Sequence, residues 1–402
     1  MKILQLCNKF PYPPKDGGAI AIFNLTKGFQ YNGHHVKILA INTKKHYINP
    51  DIVYDALKDI AEFDFIYLNT DVNPVKVFIN LFFSGLPYNV ERFISKKFNK
   101  KIVELLNEED FDIVQLEGLY LIPYVKTIRQ NSDAKISLRS HNIEHEIWNR
   151  IAHNKRNILT KKYLQILANR IKKFEINSLN VYDLLVPITQ RDANILNKLG
   201  NNKPYQVCPS GMDIEKISEG IKNVNYHSLF FIGSLDWIPN QEGLLWFTEN
   251  VWPKISIKNP KIEFFIAGRN APKKLIQKLL NFKNIVFLGE VDDAFEYMIS
   301  KSIMVVPLFS GSGMRVKIIE GMALGKVIVT TSLGAEGIDV KHKKDILIAD
   351  SADDFEKEIE ILLENKSFFT KIGENAKTFI VKNMDNKKIS AELTEFYKTY
   401  LI

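Results

Sequence analysis

Cysteine is scarce: Cys7 and Cys208 are the two thiols in 402 residues. Each lies in an apolar, strand-like stretch far from the other, which predicts buried free thiols and excludes a disulfide scaffold. Cys and His never cluster at metal-ligand spacing, and a paired-aspartate motif is missing, so neither a metal site nor a cofactor is expected. Long apolar runs are absent too. The opening MKILQLCNKF turns polar after seven residues, too short for the apolar region of a signal peptide. No other stretch reaches the roughly 18 apolar residues that mark a spanning helix. A cytoplasmic, non-spanning protein is expected. Short-period repeats and low-complexity tracts are also lacking.

What is present is ordinary for a folded chain: 46% hydrophobic and 25% charged residues, over a length that favours two hydrophobic cores. The formal charge of +8 is compatible with nucleic acid, an anionic membrane or a polyanionic small molecule. Only net charge speaks for nucleic acid, which is therefore not expected as a partner. The densest basic stretch, KRNILTKKYLQILANRIKK at 155–173, has helical apolar spacing and reads either as a solvated helix or as a membrane-surface helix. VFINLFFSGLPYNV at 77–90 is apolar for a connecting region. It reads either as core or as an exposed patch suited to a lipid-linked acceptor and a peripheral membrane contact.

The chain opens as strand (3–7), loop, helix (19–32, closed by Gly33) and strand (36–41), a βαβ unit whose apolar strands suit a buried parallel sheet. Further strands are predicted at 112–116, 136–138 and 184–187. Proline-punctuated turns at 187–213 mark a hinge. A second set of strands follows at 229–232, 262–267, 285–288, 303–306, 327–330 and 346–348, separated by helices; beyond Lys366 only helical patterns remain. Alternating short strands and helices predict two doubly wound α/β lobes.

In open parallel sheets, ligands bind beyond the carboxyl ends of the strands. The strand ending at Val306 leads into Ser310-Gly311-Ser312-Gly313 and then a helix, where backbone N–H groups and the helix dipole favour an anion. Arg315 and Lys317 stand in the first turn of that helix, where a cation opposes the dipole unless an anion is bound. Glu320 could accept hydrogen bonds from a ribose diol; a plain Lys317–Glu320 surface pair is the structural alternative.

The segment PLFSGSGMRVKIIEGMALGKVIVTTSLGAEGI resembles the donor-site signature of the family 4 (group 1) retaining glycosyltransferases. The Gly17-Gly18 loop, Ser140-His141-Asn142, Phe231-Ile232-Gly233-Ser234 and Ala267-Gly268-Arg269 extend that resemblance over most of the chain. It implies an α/β GT-B fold: two Rossmann-like doubly wound domains facing across a cleft, residues 1–195 on the acceptor side, 196–385 on the nucleotide-sugar side, and a final helix at 386–402 crossing back. Glu320 matches the ribose-binding glutamate, and Gly311, Ser312, Gly313 and Met314 match the loop at the diphosphate and sugar. Gly17, Gly18 and Gly233 are implied in donor binding, and His141 in contact with donor sugar or phosphate; Trp237 and Asn240 are expected beside them. The pattern departs at Ser312, where the family has a second glutamate, and after the 229–232 strand, where its diphosphate-binding Arg and Lys are missing. Arg315 and Lys317 are expected to supply that charge.

The implied partners are a nucleoside-diphosphate sugar and a saccharide or lipid-linked acceptor, and the implied reaction is sugar transfer to a hydroxyl with retention, in cell-surface polysaccharide or glycolipid synthesis. His141, Arg315 and Lys317 are the catalytic candidates. Two rival readings remain: a GT-B-fold nucleotide-sugar epimerase, and an inactive nucleotide- or polysaccharide-binding protein. A dinucleotide dehydrogenase lacks the third glycine after Gly311-x-Gly313.

Overall fold

The computed structural model describes residues 1–14, 16–44, 47–155, 157–214, 228–311 and 313–401. The chain forms two compact units, Met1–Gly211 with Asn386–Ile402, and Met212–Asp385.

The first unit is built on six parallel strands: β1 (Lys2–Cys7), β2 (His35–Thr43), β3 (Glu62–Leu68), β4 (Ile113–Glu117), β5 (Lys135–Ser140) and β6 (Leu184–Pro187). Their order is β3-β2-β1-β4-β5-β6. Burial on both faces explains the near-continuous apolar strands; in β1 every residue after Lys2 is buried. The chain leaves β1 toward β2 and later resumes at β4 on the other side, which opens a switch point beyond Cys7 and Glu117.

The expected boundary at 195 falls too early. Residues 204–208 run on beside β6: Leu185 donates its N–H to Pro204 (3.0 Å), and the amides of Gln206 and Cys208 return to Leu185 (3.1 Å) and Pro187 (2.9 Å). The first unit therefore holds the chain to Gly211.

The second unit repeats the plan with β7 (Ser228–Ile232), β8 (Glu263–Ala267), β9 (Ile285–Gly289), β10 (Ile303–Val306), β11 (Val327–Thr330) and β12 (Leu347–Ile348). The order is β12-β11-β10-β7-β8-β9, again parallel. Each sheet carries an apolar core on both faces. Gly243, on the helix Ile238–Asn250, lies so close to Pro307 that a Cβ would meet its carbonyl oxygen at 1.7 Å, so the glycine lets that helix reach the β10 loop.

The terminal helix Asn386–Thr399 packs in the first unit against the helix Gly17–Tyr31. The approach is close: a Cβ on Gly28 would stand 2.5 Å from Ser390 Oγ. Tyr397, fully buried, donates to Gln115 Oε1 at 2.6 Å and lies 2.9 Å from Ser137 Oγ. Tyr397→Phe leaves the buried Gln115 carbonyl short of a donor and is expected to cost about 1–3 kcal/mol, read as a lower urea midpoint with an unchanged slope; a wild-type midpoint would refute the anchoring role.

Candidate functional site

At the carboxyl edge of the first sheet, β4 ends in Glu117, a fully buried carboxylate. It receives hydrogen bonds from His141 Nε2 (2.7 Å), Gln5 Nε2 (3.1 Å) and Gln115 Nε2, and the buried Arg139 guanidinium stands 3.6 Å away. Burial works against the charge on Glu117, but Arg139 and His141 outweigh it and hold the carboxyl below its ordinary range. Burial pushes the His141 imidazole down despite Glu117. The pair therefore rests as an ionised carboxylate and a neutral imidazole whose Nε2–H donates, which leaves Nδ1 as the acceptor. His141 keeps 15% of its side chain exposed, so a ligand can reach it.

Gly17 and Gly18 occupy the first turn of the helix Gly17–Tyr31. Asp16 caps that turn by accepting from Ala19 N at 3.0 Å and is itself paired with Lys9. A carboxylate thus already sits at the helix N-terminus. Among the other polar residues after β5, Glu144 receives a hydrogen bond from Tyr120 (2.7 Å) and is pushed up to about 7 by burial. His145 turns away to the buried Glu175 at 2.5 Å, a structural pair. A pocket of about 460 Å³ opens at the ends of β1, β2 and β3, lined in part by Lys9, Thr43, Thr70, Asp71 and Arg92.

In the second unit the turn after β10 has Gly311 at φ +104° and Gly313 at φ +82°, backbone that an L side chain rarely adopts. A Cβ on Gly311 would also strike the Trp237 ring at 2.9 Å. Ser312 lies outside the described residues. Met314, half-buried, packs on the core beneath. Arg315, buried at the start of the helix Val316–Ala323, donates to the Gly313 carbonyl at 2.6 Å and lies over the Trp237 ring. Lys317 crosses to β7: its Nζ donates to Asn240 Oδ1 (2.9 Å), lies 4.4 Å from the Phe231 ring centroid, and would be 3.2 Å from a Cβ on Gly233. The ends of β7 and β10 are thereby joined by one cation.

Lys317 and Glu320 are half-buried, yet the surrounding protein strongly disfavours both charges. Burial, reinforced by Arg315, lowers the Lys317 ammonium to about 7, and burial raises Glu320 to about 7. No Lys317–Glu320 ion pair forms among the described residues; Lys317 turns to Asn240 instead. Arg269, following β8, bonds Ser234 Oγ at 3.1 Å and adds a cation near Gly233.

The sequence singles out His141, Lys317 and the glycine turn and passes over Glu117, Arg139 and the pairing of Lys9 with Asp16. The available signal was a charged residue near the carboxyl end of a short parallel strand with an uncharged interior, as in DIVQLE and KISLRS.

Two Rossmann-ordered parallel α/β units of this kind make up the GT-B fold. Residues 226–365 match the family model described as glycosyl transferases group 1, and the chain carries that domain. An uncharacterized 44.6 kDa protein in the cps region of Klebsiella pneumoniae is 25% identical over 98% of both chains. An uncharacterized glycosyltransferase, MJ1069, of Methanocaldococcus jannaschii is 29% identical over 54% of this chain and 58% of that one. Among solved structures, Anabaena Alr3699/HepE in complex with UDP superposes with a TM-score of 0.69 at 14% identity, covering 99% of this chain and all of that one. Among the described residues no helix is long and apolar enough to cross a membrane.

Glu117→Gln should lower stability by about 3–5 kcal/mol, because it leaves the Arg139 guanidinium buried without its counter-charge. The pH sign follows from the depressed carboxyl. Glu117 stabilises the fold above the ordinary value of 4.5 and loses that contribution as pH falls through the lower folded value. Chemical denaturation across pH 3–7 (roughly the window that linkage sets) should show a shallower acid loss in the variant; an equal loss would remove Glu117 from the account.

Proposed function

We propose that the second unit binds a nucleoside-diphosphate sugar and that the enzyme transfers its sugar, with retention, to a hydroxyl of a saccharide or lipid-linked acceptor. The observation that carries the reading is Lys317, which spans from the glycine turn after β10 to Asn240 and Gly233 beyond β7. A diphosphate there meets Lys317, Arg315 and the N–H groups of a turn held at positive φ. Glu320, one turn along the same helix, takes the ribose hydroxyls. Support for the ligand class comes from HepE, whose structure was solved with UDP. The cps-region location of the Klebsiella protein supports a place in surface polysaccharide synthesis.

As the bond from the anomeric carbon to the phosphate oxygen breaks, negative charge grows on the departing diphosphate. Arg315, Lys317 and the helix N-terminus stabilise it, with no metal ion required. The acceptor hydroxyl forms the new bond on the same face and gives its proton to a donor phosphate oxygen. In the first unit, neutral His141 offers Nδ1 to a ligand at the sheet edge, and the pocket beside Lys9 and Arg92 holds the acceptor.

Lys317→Met tests this. Turnover should fall about 10²-fold or more, while the Tm of the unliganded protein stays level or rises, because a disfavoured charge is removed. The folded pKa near 7 against 10.5 unfolded means that the folded state binds fewer protons between those values. Unliganded stability should therefore climb with pH across that window in wild type and flatten in the variant. Nucleotide affinity should move the other way, weakening as Lys317 deprotonates above about 7. A thermal-shift panel of UDP, GDP and ADP identifies the base. Unchanged turnover in both Lys317→Met and Glu320→Ala would overturn the site.

A further inference from the structure

The helix Pro74–Phe83 in the first unit is built inside out. Its one buried residue is Asn80, whereas Val75, Phe78, Phe82 and Phe83 are 61–83% exposed and Ile79 is 51% exposed. Polar bonds hold this arrangement in place. Asn73 caps the first turn, Asn80 donates to Leu86 O (2.9 Å) and Glu91 Oε2 (2.7 Å), and Arg170 grips the Asn80 and Leu81 carbonyls at 3.0 and 2.6 Å. Phe78 and Phe82 lie 4.8 Å apart in the open. Water should drive such side chains inward, so a patch of this size, fixed by its polar side, signals an occupant.

Arg170 belongs to the long helix Ile158–Ser178, which continues the patch. Leu159, Lys162, Ile166 and Lys173 share its outer face by their spacing, and all are exposed. From 147 to 174 the sequence has eight Lys or Arg and no Asp or Glu, and from 72 to 90 its one charge is Lys76. An apolar ridge among cations without intervening acids complements a surface with an acyl interior and anionic head groups. Val72, 65% exposed, opens the apolar ridge and also lines the pocket beside Lys9 and Arg92.

We propose that this face docks on an anionic lipid bilayer, with Phe78, Phe82 and Phe83 entering the head-group boundary and Lys162 and Lys173 meeting lipid phosphates. Docking sets the pocket mouth against the bilayer. This deepens the acceptor reading of the first unit, but vesicle binding is measured without catalysis and so stands or falls separately. The full chain is sedimented with phosphatidylcholine vesicles with and without phosphatidylglycerol, beside Phe82→Ser/Phe83→Ser and Lys162→Glu/Lys173→Glu. Wild type should pellet with the anionic vesicles and be released by salt. Each double variant, with wild-type circular dichroism and Tm, should bind about tenfold or more weakly. Wild type remaining in the supernatant overturns the proposal, as does a phenylalanine variant that binds equally. A wild-type dimer that this variant dissolves, without vesicle binding, assigns the face to a second copy and also overturns it. Nucleotide thermal shifts should match wild type in both variants, so their loss in wild type would strike the donor reading alone.

Discussion

Every strand pairing named in both sheets is parallel, and this constraint places the chemistry. Parallel strands all run the same way, so the carboxyl ends of the strands in each sheet collect along one edge and the loops lead into helix N-termini there. Glu117 and His141 lie on that edge in the first unit; Gly233, Lys317 and the Gly311 turn lie on it in the second. Glu117 and His141, and likewise Gly233 and Lys317, lie far apart in sequence. The topology brings them together, and the switch in strand order, at β1/β4 and again at β7/β10, leaves room for a ligand.

Burying charge inside the first unit has consequences that reach to the chain's end. Glu117 stays ionised because Arg139 stands beside it and Gln5, Gln115 and His141 donate to it. Gln115 in turn spends its carbonyl on Tyr397. The terminal helix thereby joins the same buried network that fixes the tautomer of His141. A tail with no strand of its own is held by apolar packing from Ile389, Leu393 and Tyr397 and, through one phenol, lies two hydrogen bonds from the carboxylate that orients the imidazole. Buried polar networks of this kind lock a single arrangement more than they add net stability.

Much of this was legible in the sequence because buried parallel strands write themselves as apolar runs: β1, β4, β7, β10 and β11 all stand close to where LQLC, IVQL, LFFI, IMVV and VIVT place them. β3 was not legible. As an edge strand of half-buried residues, EFDFIYL carries Asp64 in its middle and lacks the run. The glycine turn stood out because glycine permits backbone geometry and close approaches that other residues do not. The Lys317–Asn240 contact was not, since nothing local announces a partner across seventy-odd residues. The run at 77–90 shows the limit from the other side: composition alone left core and surface open, and Arg170 together with Asn80 decides for surface.

The two strand-end sites treat charge in opposite ways. In the first, the cation Arg139 faces a carboxylate, and Lys9 faces Asp16. In the second, the described partners of Lys317 are an amide oxygen and a phenyl ring, with Arg315 nearby opposing its charge. Its ammonium is lowered to about 7, so holding it there costs the unliganded fold stability. Lys317 reaches the space beside Gly233 from the helix after β10; on the proposed reading it replaces the basic residues that the resembled pattern places after the first strand of this unit. In the donor complex proposed above, a bound diphosphate offsets the repulsion and compensates the desolvation with its own charge, so the cost becomes binding energy in the liganded state.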